Sequence, residues 1–417
     1  MNPSVRLECL AGLLCVVLAN SIELASAQKF GIYTLSMTTP NLVNIFSGDQ
    51  QNGLLKFVGA VSTGGNGTGV QSQGAIAVFG NFIFAVNPLS NTLSLLEINP
   101  QGPTMVKLVG SPVYSQGDYP NTVTASKCPP FPLISSLYQI TCYELGSFQF
   151  YFFEIDARSV CVANTGANSG IACFTYSSSS GLKFIPSSFR ALNLNLTTPP
   201  GNHQGPGQIS FTPDNKGLVL VVKGRNPPVY LWPVAYVGNS LVLSQSPATS
   251  TPNGEDNFAF AFDSSSAFVL ADTNPYGNIS GLIVVNVDTS GGGSVSFGTP
   301  RYLLLPNLHG ACWISYGQLT DRFYVSNLGS GIISEIARSG GKLTILNQIV
   351  MTNTSLPADQ IVLNNFLYVN DLALNQIWVL SLGGPGGGTW IQRVPNLGST
   401  SGLVGYVVPS QTPLVVE

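Results

Sequence analysis

The chain has 417 residues, of which only 8% are charged, against about 25% in a typical soluble domain. Its formal net charge of −3 gives no basic footprint for nucleic acid. The 45 glycines and 28 prolines oppose helix interiors and serve turns, so the composition argues against a mainly helical protein and favours an all-β fold.

The N-terminus predicts a secretory signal peptide over residues 1–27. Arg6 precedes the apolar run LAGLLCVVLA, and the small residues ASA end at Ala27. This order of charge, apolar core and small residues is typical of a cleaved signal. The alternatives are a buried helix or a membrane anchor, but the run is shorter than the ~20 apolar residues that an anchor needs. We therefore expect cleavage after Ala27, a secreted extracellular protein, and no membrane span in the mature chain.

A strand–turn–strand pattern recurs seven times along the chain. FIFAVNPLSNTLSLLEI (82–98) and FYVSNLGSGIISEI (323–336) are two clear copies. Each copy has a β-rich run, a turn rich in Asn, Gly, Ser or Pro, and a second β-rich run, which is the pattern of a β-hairpin. The ends of the first hairpin strands are 43 to 77 residues apart and lie at Ser36, Asn87, Asn164, Lys223, Asp272, Asn327 and Asn370.

Short strands flank each hairpin. An apolar segment such as GAIAV or FAFAF precedes the hairpin, and a polar or Gly-led segment such as GLLKF follows it. Units of about four strands that repeat radially form a β-propeller, whereas solenoid repeats are usually shorter or helical. We therefore predict a single seven-bladed propeller over residues 28–417, with an insertion at about 124–156 where the longest gap falls.

The two ends of the chain are predicted to meet in one blade. The first hairpin has no preceding strand of its own, and GLVGYVV at residues 402–408 has no hairpin after it. We expect this C-terminal segment to supply the inner strand of the first blade, which closes the ring and hides the open sheet edges.

The cysteines predict a disulfide across the third hairpin. Five cysteines follow residue 27, which allows at most two disulfides and leaves one thiol. If Ala163 faces Ile171, then Cys161 and Cys173 are direct cross-strand neighbours, about 4.5–5.5 Å apart at Cα and within disulfide range. By elimination Cys128–Cys142 closes the insertion and Cys312 stays a buried free thiol. Four N-x-S/T sequons mark candidate glycosylation sites at Asn66, Asn195, Asn278 and Asn353.

Four segments carry a resemblance to a known family: TGGNGTG, SQGAIAVFGNFIFAVNPLSNTLSLLEI, GPGQISFTPDNKGLVLVVKG and ACWI...RFYVSNLGSGIIS. They resemble the lactonase-type seven-bladed propellers, which include bacterial 6-phosphogluconolactonase and fungal carboxy-muconate cyclase. The resemblance implies a catalytic Pro-His step entering a strand of the FxPDxK kind, but this chain has Pro206-Gly207 there. It also implies an Arg-His pair in the next blade, where this chain has Phe258 and Ala259.

Polar and charged residues are predicted on the face formed by the loops that lead into the inner strands and by the hairpin turns, because loops on a rigid scaffold carry function. Lys223 and Arg225 form a candidate anion clamp or a solvated turn. Glu255 and Asp256 form a candidate general base or metal-ligand pair, or a polar turn; no further ligands with metal geometry are visible near them in the sequence. The two histidines, His203 and His309, are candidate bases or hydrogen-bonding loop residues. We expect Gln208, Asp272 and Asp371 on the same face.

Two functions remain open on this sequence. The missing family histidine and arginine favour a non-catalytic extracellular propeller that binds a small anionic or polyhydroxy ligand or an extracellular partner. The alternative is a secreted lactonase or carboxy-muconate cyclase-like enzyme that acts on a small anionic or cyclic substrate. No motif predicts a metal or another cofactor; GGPGGG at 383–388 lacks the Lys-Ser/Thr of a phosphate loop.

Overall fold

The computed structural model of the protein describes residues 29–69, 72–127, 158–224, 227–237, 240–252, 254–263, 267–273, 280–291, 293–383, 387–396, 398 and 401–407. These residues form seven antiparallel sheets in a propeller arrangement, which confirms the predicted all-β, seven-bladed fold. Within the described residues, no helix is both long enough and apolar enough to cross a membrane.

The first four blades follow one another along the chain, apart from the strand that closes blade 1. Blade 1 consists of β1 (Lys29–Leu35), β2 (Leu42–Asp49), β3 (Leu55–Ser62) and the C-terminal β32 (Ser401–Val407). Blade 2 consists of β4 (Ile76–Phe79), β5 (Phe82–Asn87), β6 (Thr92–Asn99), β7 (Gly102–Leu108) and β8 (Val113–Tyr114). Blade 3 consists of β9 (Pro120–Lys127), β10 (Arg158–Asn164), β11 (Gly170–Ser177), β12 (Gly181–Phe184) and β13 (Arg190–Ala191). Blade 4 consists of β14 (Gly205–Phe211), β15 (Gly217–Lys223), β16 (Val229–Val237), β17 (Ser240–Leu243) and β18 (Ala248–Ser250).

The remaining blades repeat the same order, from the inner strand outwards. Blade 5 consists of β19 (Asn257–Phe262), β20 (Ala267–Asp272), β21 (Ser280–Asp288), β22 (Ser296–Phe297) and β23 (Arg301–Leu305). Blade 6 consists of β24 (Ala311–Gly317), β25 (Arg322–Asn327), β26 (Ile332–Ser339) and β27 (Lys342–Val350). Blade 7 consists of β28 (Pro357–Leu363), β29 (Phe366–Asp371), β30 (Gln376–Ser381) and β31 (Thr389–Pro395).

The hydrophobic core lies between neighbouring blades. The second strand of a blade is covered on both faces, so β5 (FIFAVN) and β29 (FLYVND) are buried at every position. The outer strand β3 (LKFVGAVS) begins with a buried residue and then alternates exposed and half-buried side chains, because one of its faces meets solvent. This difference explains why continuous apolar runs in the sequence mark the middle of a blade and alternating runs mark its rim.

The ring closes as predicted, through antiparallel pairing of β32 with β1. Tyr33 faces Val404, and the pairing runs from Phe30–Val407 to Leu35–Ser401. The sheet order β3-β2-β1-β32 therefore makes the C-terminal strand the innermost strand of the first blade. The first and last described strands of the chain thus belong to one sheet.

The third blade includes the predicted disulfide. Ala163 faces Ile171, and Cys161 is bonded to Cys173 with their Cα atoms 4.0 Å apart. Cys312 is free and buried, as predicted. Strand β9 extends to Lys127, so the first residues of the predicted insertion belong to the inner strand of blade 3. Cys128 and Cys142 lie outside the described residues, and their pairing stays a prediction.

Three of the predicted glycosylation sequons are accessible. The described asparagines Asn66, Asn195 and Asn353 are all exposed, as N-glycosylation requires. Asn278 lies outside the described residues. Whether any of the four carries a glycan stays a prediction.

We expect thiol chemistry to separate the buried Cys312 from the Cys161–Cys173 pair. Burial raises the pKa of the Cys312 thiol, so little reactive thiolate forms at neutral pH. Iodoacetamide should label Cys312 slowly in the native protein and rapidly in guanidinium chloride, as followed by mass spectrometry. Peptide mapping without reductant should recover Cys161 linked to Cys173. Recovery of Cys312 in a disulfide would contradict this assignment.

Candidate functional site

The candidate site lies at the channel mouth, which we define as the end of the propeller axis where the inner strands begin. Asp256 is the centre of the described polar groups there and has no exposed surface. Its Oδ1 accepts the N–H of Gly224 at 2.8 Å, and its Oδ2 accepts the hydroxyl of Thr273 at 2.8 Å. His203 Nδ1 lies 2.6 Å from the same Oδ2. The Asp256 carboxylate therefore joins the loops of blades 4 and 5.

The local fold holds Asp256 in place through another carboxylate. Asp272 ends β20, and its Oδ1 accepts the Asp256 N–H at 2.8 Å. Its Oδ2 accepts the hydroxyl of Tyr302 at 2.6 Å and the Glu255 N–H at 3.3 Å. The polar end of the second strand thus fixes the loop that leads into the inner strand of the same blade. Asp371 does the same in blade 7, where its Oδ1 accepts the Leu356 N–H at 3.1 Å.

His203 is oriented by Asp256 and remains accessible. A carboxylate accepts hydrogen bonds, so His203 Nδ1 donates the hydrogen of this bond. The other ring nitrogen, Nε2, remains for another partner. The His203 side chain is 49% exposed, whereas Asp256 is fully buried. A buried carboxylate behind an accessible imidazole holds the ring in one tautomer and one orientation.

Lys223 lies beneath the mouth and not on its surface. The residue is 6% exposed, and its Nζ donates to the Asn202 carbonyl at 3.2 Å. The same Nζ lies 5.4 Å from the centroid of the Phe258 ring. Burial lowers the pKa of Lys223 to about 8, and the negative charge of Asp256 acts in the opposite direction. Lys223 therefore adds positive charge beneath the channel mouth but has almost no contact with solvent.

The structure joins some of the predicted site residues in one network and gives others different contacts. His203, Lys223, Glu255 and Asp256 lie together at blades 4 and 5, through the contacts given above. His309 is exposed on blade 6, where its backbone N–H donates to Ser330 Oγ at 2.8 Å. Gln208 serves a structural bond, because its Oε1 accepts the Phe260 N–H at 2.6 Å. Arg225 lies outside the described residues.

A short segment, residues 72–74, crosses the centre of the propeller, and the sequence analysis missed it. The Gln73 side chain pairs with the backbone of Ile314 in blade 6, donating to its carbonyl at 2.8 Å and accepting its N–H at 3.0 Å. The Gln73 N–H donates to the Gly207 carbonyl of blade 4 at 3.0 Å. Ser72 Oγ donates to the Asn121 carbonyl of blade 3 at 2.6 Å. The segment therefore fills the channel beneath the mouth with the chain's own backbone.

The position that the family resemblance assigns to a catalytic histidine has no room for a side chain, and we call it the closed position. Gly207 is the extra residue of a bulge in β14, between Pro206 and Gln208. A Cβ atom at Gly207 would lie only 2.1 Å from the Phe258 carbonyl oxygen, which is backbone and cannot rotate away. Similar bulges occur at Phe258 in β19 and at Cys312 in β24. With this backbone, a histidine side chain cannot be built at position 207.

Asp359 is a second buried carboxylate that the sequence analysis did not single out. It is 4% exposed in β28, and its Oδ1 accepts the Gln360 N–H at 2.9 Å. The backbone N–H groups of Gly74 and Leu403 also bond to it, so it ties blade 7 to the channel-crossing segment and to blade 1. Burial raises the pKa of Asp359 to about 7, and these backbone donors oppose that rise. The sequence does contain a signal for this buried carboxylate. It is the polar pair Asp359-Gln360 at the start of an apolar inner strand.

The class of protein follows from this geometry: a seven-bladed β-propeller with a filled channel and a polar mouth. Comparison with protein-family models and with curated proteins finds no match. Solved structures match the fold. The periplasmic gluconolactonase of Pseudomonas aeruginosa aligns with a TM-score of 0.63 at 15% identity, over 91% of this chain and 100% of that one.

Two further structures give the same result. A 6-phosphogluconolactonase-like structure from Bacteroides fragilis has a TM-score of 0.63 at 13% identity, over 92% of this chain and 99% of that one. A protein from Lactobacillus plantarum has a TM-score of 0.64 at 14% identity, over 91% of this chain and 99% of that one. The chain therefore shares the seven-bladed fold of these lactonase-like propellers, and at such identities the likeness concerns the fold.

We expect Gly207→Ala to destabilise the protein, because the new methyl group meets the Phe258 carbonyl. The free energy of unfolding should fall by about 1–3 kcal/mol, the range for overpacking a tight site. Gly59→Ala is the matched control, since a Cβ atom there meets nothing within 4 Å. Its effect should stay within about 0.5 kcal/mol. Equal stability of the two variants in denaturant unfolding would contradict the closed position.

We expect Asp359 to make stability depend on pH. Its pKa is about 7 in the folded protein and ~3.9 in an unfolded chain, so folding favours the protonated form. The stabilising contribution is complete below about pH 4 and is lost as the pH rises to about 7. Denaturant unfolding between pH 4 and 8 should show this decline, and Asp359→Asn should remove it. An identical pH profile in wild type and variant would exclude Asp359 as the cause.

Proposed function

We propose that this chain is a secreted, lactonase-like β-propeller that binds a small anionic or polyhydroxy ligand, or an extracellular partner, at the channel mouth without lactone turnover. The observation that carries this proposal is the closed position at Gly207, where a Cβ atom would lie 2.1 Å from backbone. The resemblance assigns a catalytic histidine to that position. Phe258 and Ala259 are likewise apolar where it implies cations.

The mouth offers the groups that such a ligand needs. His203 presents an accessible imidazole whose orientation Asp256 holds. Lys223 lies directly below, and its positive charge offsets part of the negative charge of the neighbouring Asp256 carboxylate. Since residues 72–74 fill the channel, the ligand would rest on the mouth and not pass into the axis.

Secretion is part of the proposal. The signal-like N-terminus, the exposed sequon asparagines and the Cys161–Cys173 disulfide all support an oxidising extracellular environment.

The alternative function is a lactonase or cycloisomerase, and one observation favours it. A histidine held by a buried carboxylate at 2.6 Å is the arrangement that prepares an imidazole as a general base. In that case His203 Nε2 would activate water or take a substrate proton, and the reaction would use a position other than 207. Turnover by this route would depend on His203.

Both proposals are tested by measuring turnover and binding on the same purified protein. We expect no turnover of 6-phosphogluconolactone or of a carboxy-muconolactone, and weak binding of 6-phosphogluconate by calorimetry. His203→Ala should lower that affinity by roughly tenfold, the effect of removing a hydrogen bond to a charged group. Lys107→Ala is the control, because Lys107 lies on the outer strand of blade 2 and pairs with Glu97 at 3.0 Å.

The outcomes separate the two functions. Binding that His203→Ala weakens and Lys107→Ala leaves unchanged supports the binding protein. Turnover by the wild-type protein that disappears in His203→Ala supports the enzyme instead of the binding protein. Binding that neither variant changes would reject the channel mouth as the site.

A further inference from the structure

A second cleft lies on the side of the propeller, between the outer parts of blades 3 and 4. Its volume is about 340 Å³, which is at the small end of the range for ligand sites. It is separate from the channel mouth in its residues. The lining from blade 3 comes from the segment 189–192, and the lining from blade 4 comes from Tyr230, Trp232, Gln245 and Pro247.

Two aromatic rings of β16 form one wall of this cleft. Tyr230 and Trp232 are two residues apart on one strand and so share a face, with ring centroids 5.3 Å apart. Tyr230 is half-buried, whereas Trp232 is 2% exposed. The Trp232 Nε1 is buried and, among the described residues, has no hydrogen-bond partner. A buried N–H without an acceptor costs free energy, and a small rearrangement of the cleft wall that admits a ligand oxygen would remove that cost.

Arg190 brings a positive charge to the same cleft. The residue is 7% exposed, and burial lowers the pKa of its guanidinium. The guanidinium donates only to backbone carbonyls, which are those of Ser187, Phe189, Leu243 and Ser244. Carbonyl oxygens satisfy N–H groups but carry no net charge. Among the described residues no carboxylate pairs with Arg190, and these bonds use four of its five N–H donors.

We propose that this cleft binds one carboxylate-bearing sugar ring, such as a uronic acid residue of an acidic glycan. The carboxylate would compensate the Arg190 charge and accept its remaining N–H. A ring hydroxyl would accept the Trp232 N–H, and the apolar C–H face of the sugar would pack on Tyr230. The polar lining and the size of the cleft suit a single ring. This site is independent of the proposed channel-mouth site.

The inference is tested by titrating the full-length mature protein with D-glucuronate and with D-glucose, its neutral counterpart, by calorimetry or ligand-observed NMR. Glucuronate should bind at least roughly tenfold more tightly than glucose, and its affinity should fall with added salt. Trp232→Phe keeps the ring and removes the N–H, so it should lower the glucuronate affinity roughly fivefold. Trp390→Phe is the matched control on blade 7, where the Trp390 N–H already donates to the Val350 carbonyl.

Two further variants assign the effect to the cleft. Arg190→Gln should abolish the preference for glucuronate over glucose. If Arg190→Gln does not fold, Trp232→Phe and Tyr230→Leu decide in its place. His203→Ala should leave glucuronate binding unchanged. Any one of four results would overturn the inference. These are equal affinity for the two sugars, no binding of glucuronate, equal effects of Trp232→Phe and Trp390→Phe, and loss of binding in His203→Ala.

Discussion

The pairing of β32 with β1 is the constraint on which the rest of the structure depends. Each blade buries its middle strands against two neighbours, so an open ring would leave two such faces in water. Closure also joins blade 7 to blade 1 through further contacts. The Tyr368 hydroxyl donates to the Gly53 carbonyl at 3.0 Å, and the Gln392 side chain exchanges two hydrogen bonds with the Leu55 backbone. Folding of the ring therefore requires both ends of the chain.

Once the ring is closed, backbone segments of the chain itself occupy positions at its centre that a ligand would otherwise take. Residues 72–74 bond to inner strands of several blades, and the bulge at Gly207 brings β14 against the Phe258 carbonyl of β19. These contacts satisfy backbone groups that would otherwise face a solvent-filled channel. The groups available for ligand binding therefore lie at the channel mouth and in the clefts between blades.

The buried charges of the described residues are held mainly by backbone groups rather than by opposite charges. The Asp256 and Asp359 carboxylates accept backbone N–H groups, and the Arg190 guanidinium donates to carbonyls. Such bonds offset the cost of burying the polar atoms but do not neutralise the charge. In a chain in which only 8% of residues are charged, the Arg190 guanidinium therefore retains a local positive potential that an anionic ligand can use.

The sequence by itself determined the blades and the Cys161–Cys173 pair, because hairpin periodicity and cross-strand register are local properties of the chain. It also predicted the ring closure, because the first hairpin lacks an inner strand of its own and the segment 402–408 has no hairpin after it. It also placed His203, Lys223 and Asp256 on one face, and the structure brings the loops that carry them together. The burial of Lys223, the closed position at Gly207 and the channel crossing by Gln73 depend on contacts between blades tens to hundreds of residues apart. Only the tertiary structure decided these features, because the packing distance between two blades is set by both of them together, and neither sequence segment encodes it alone.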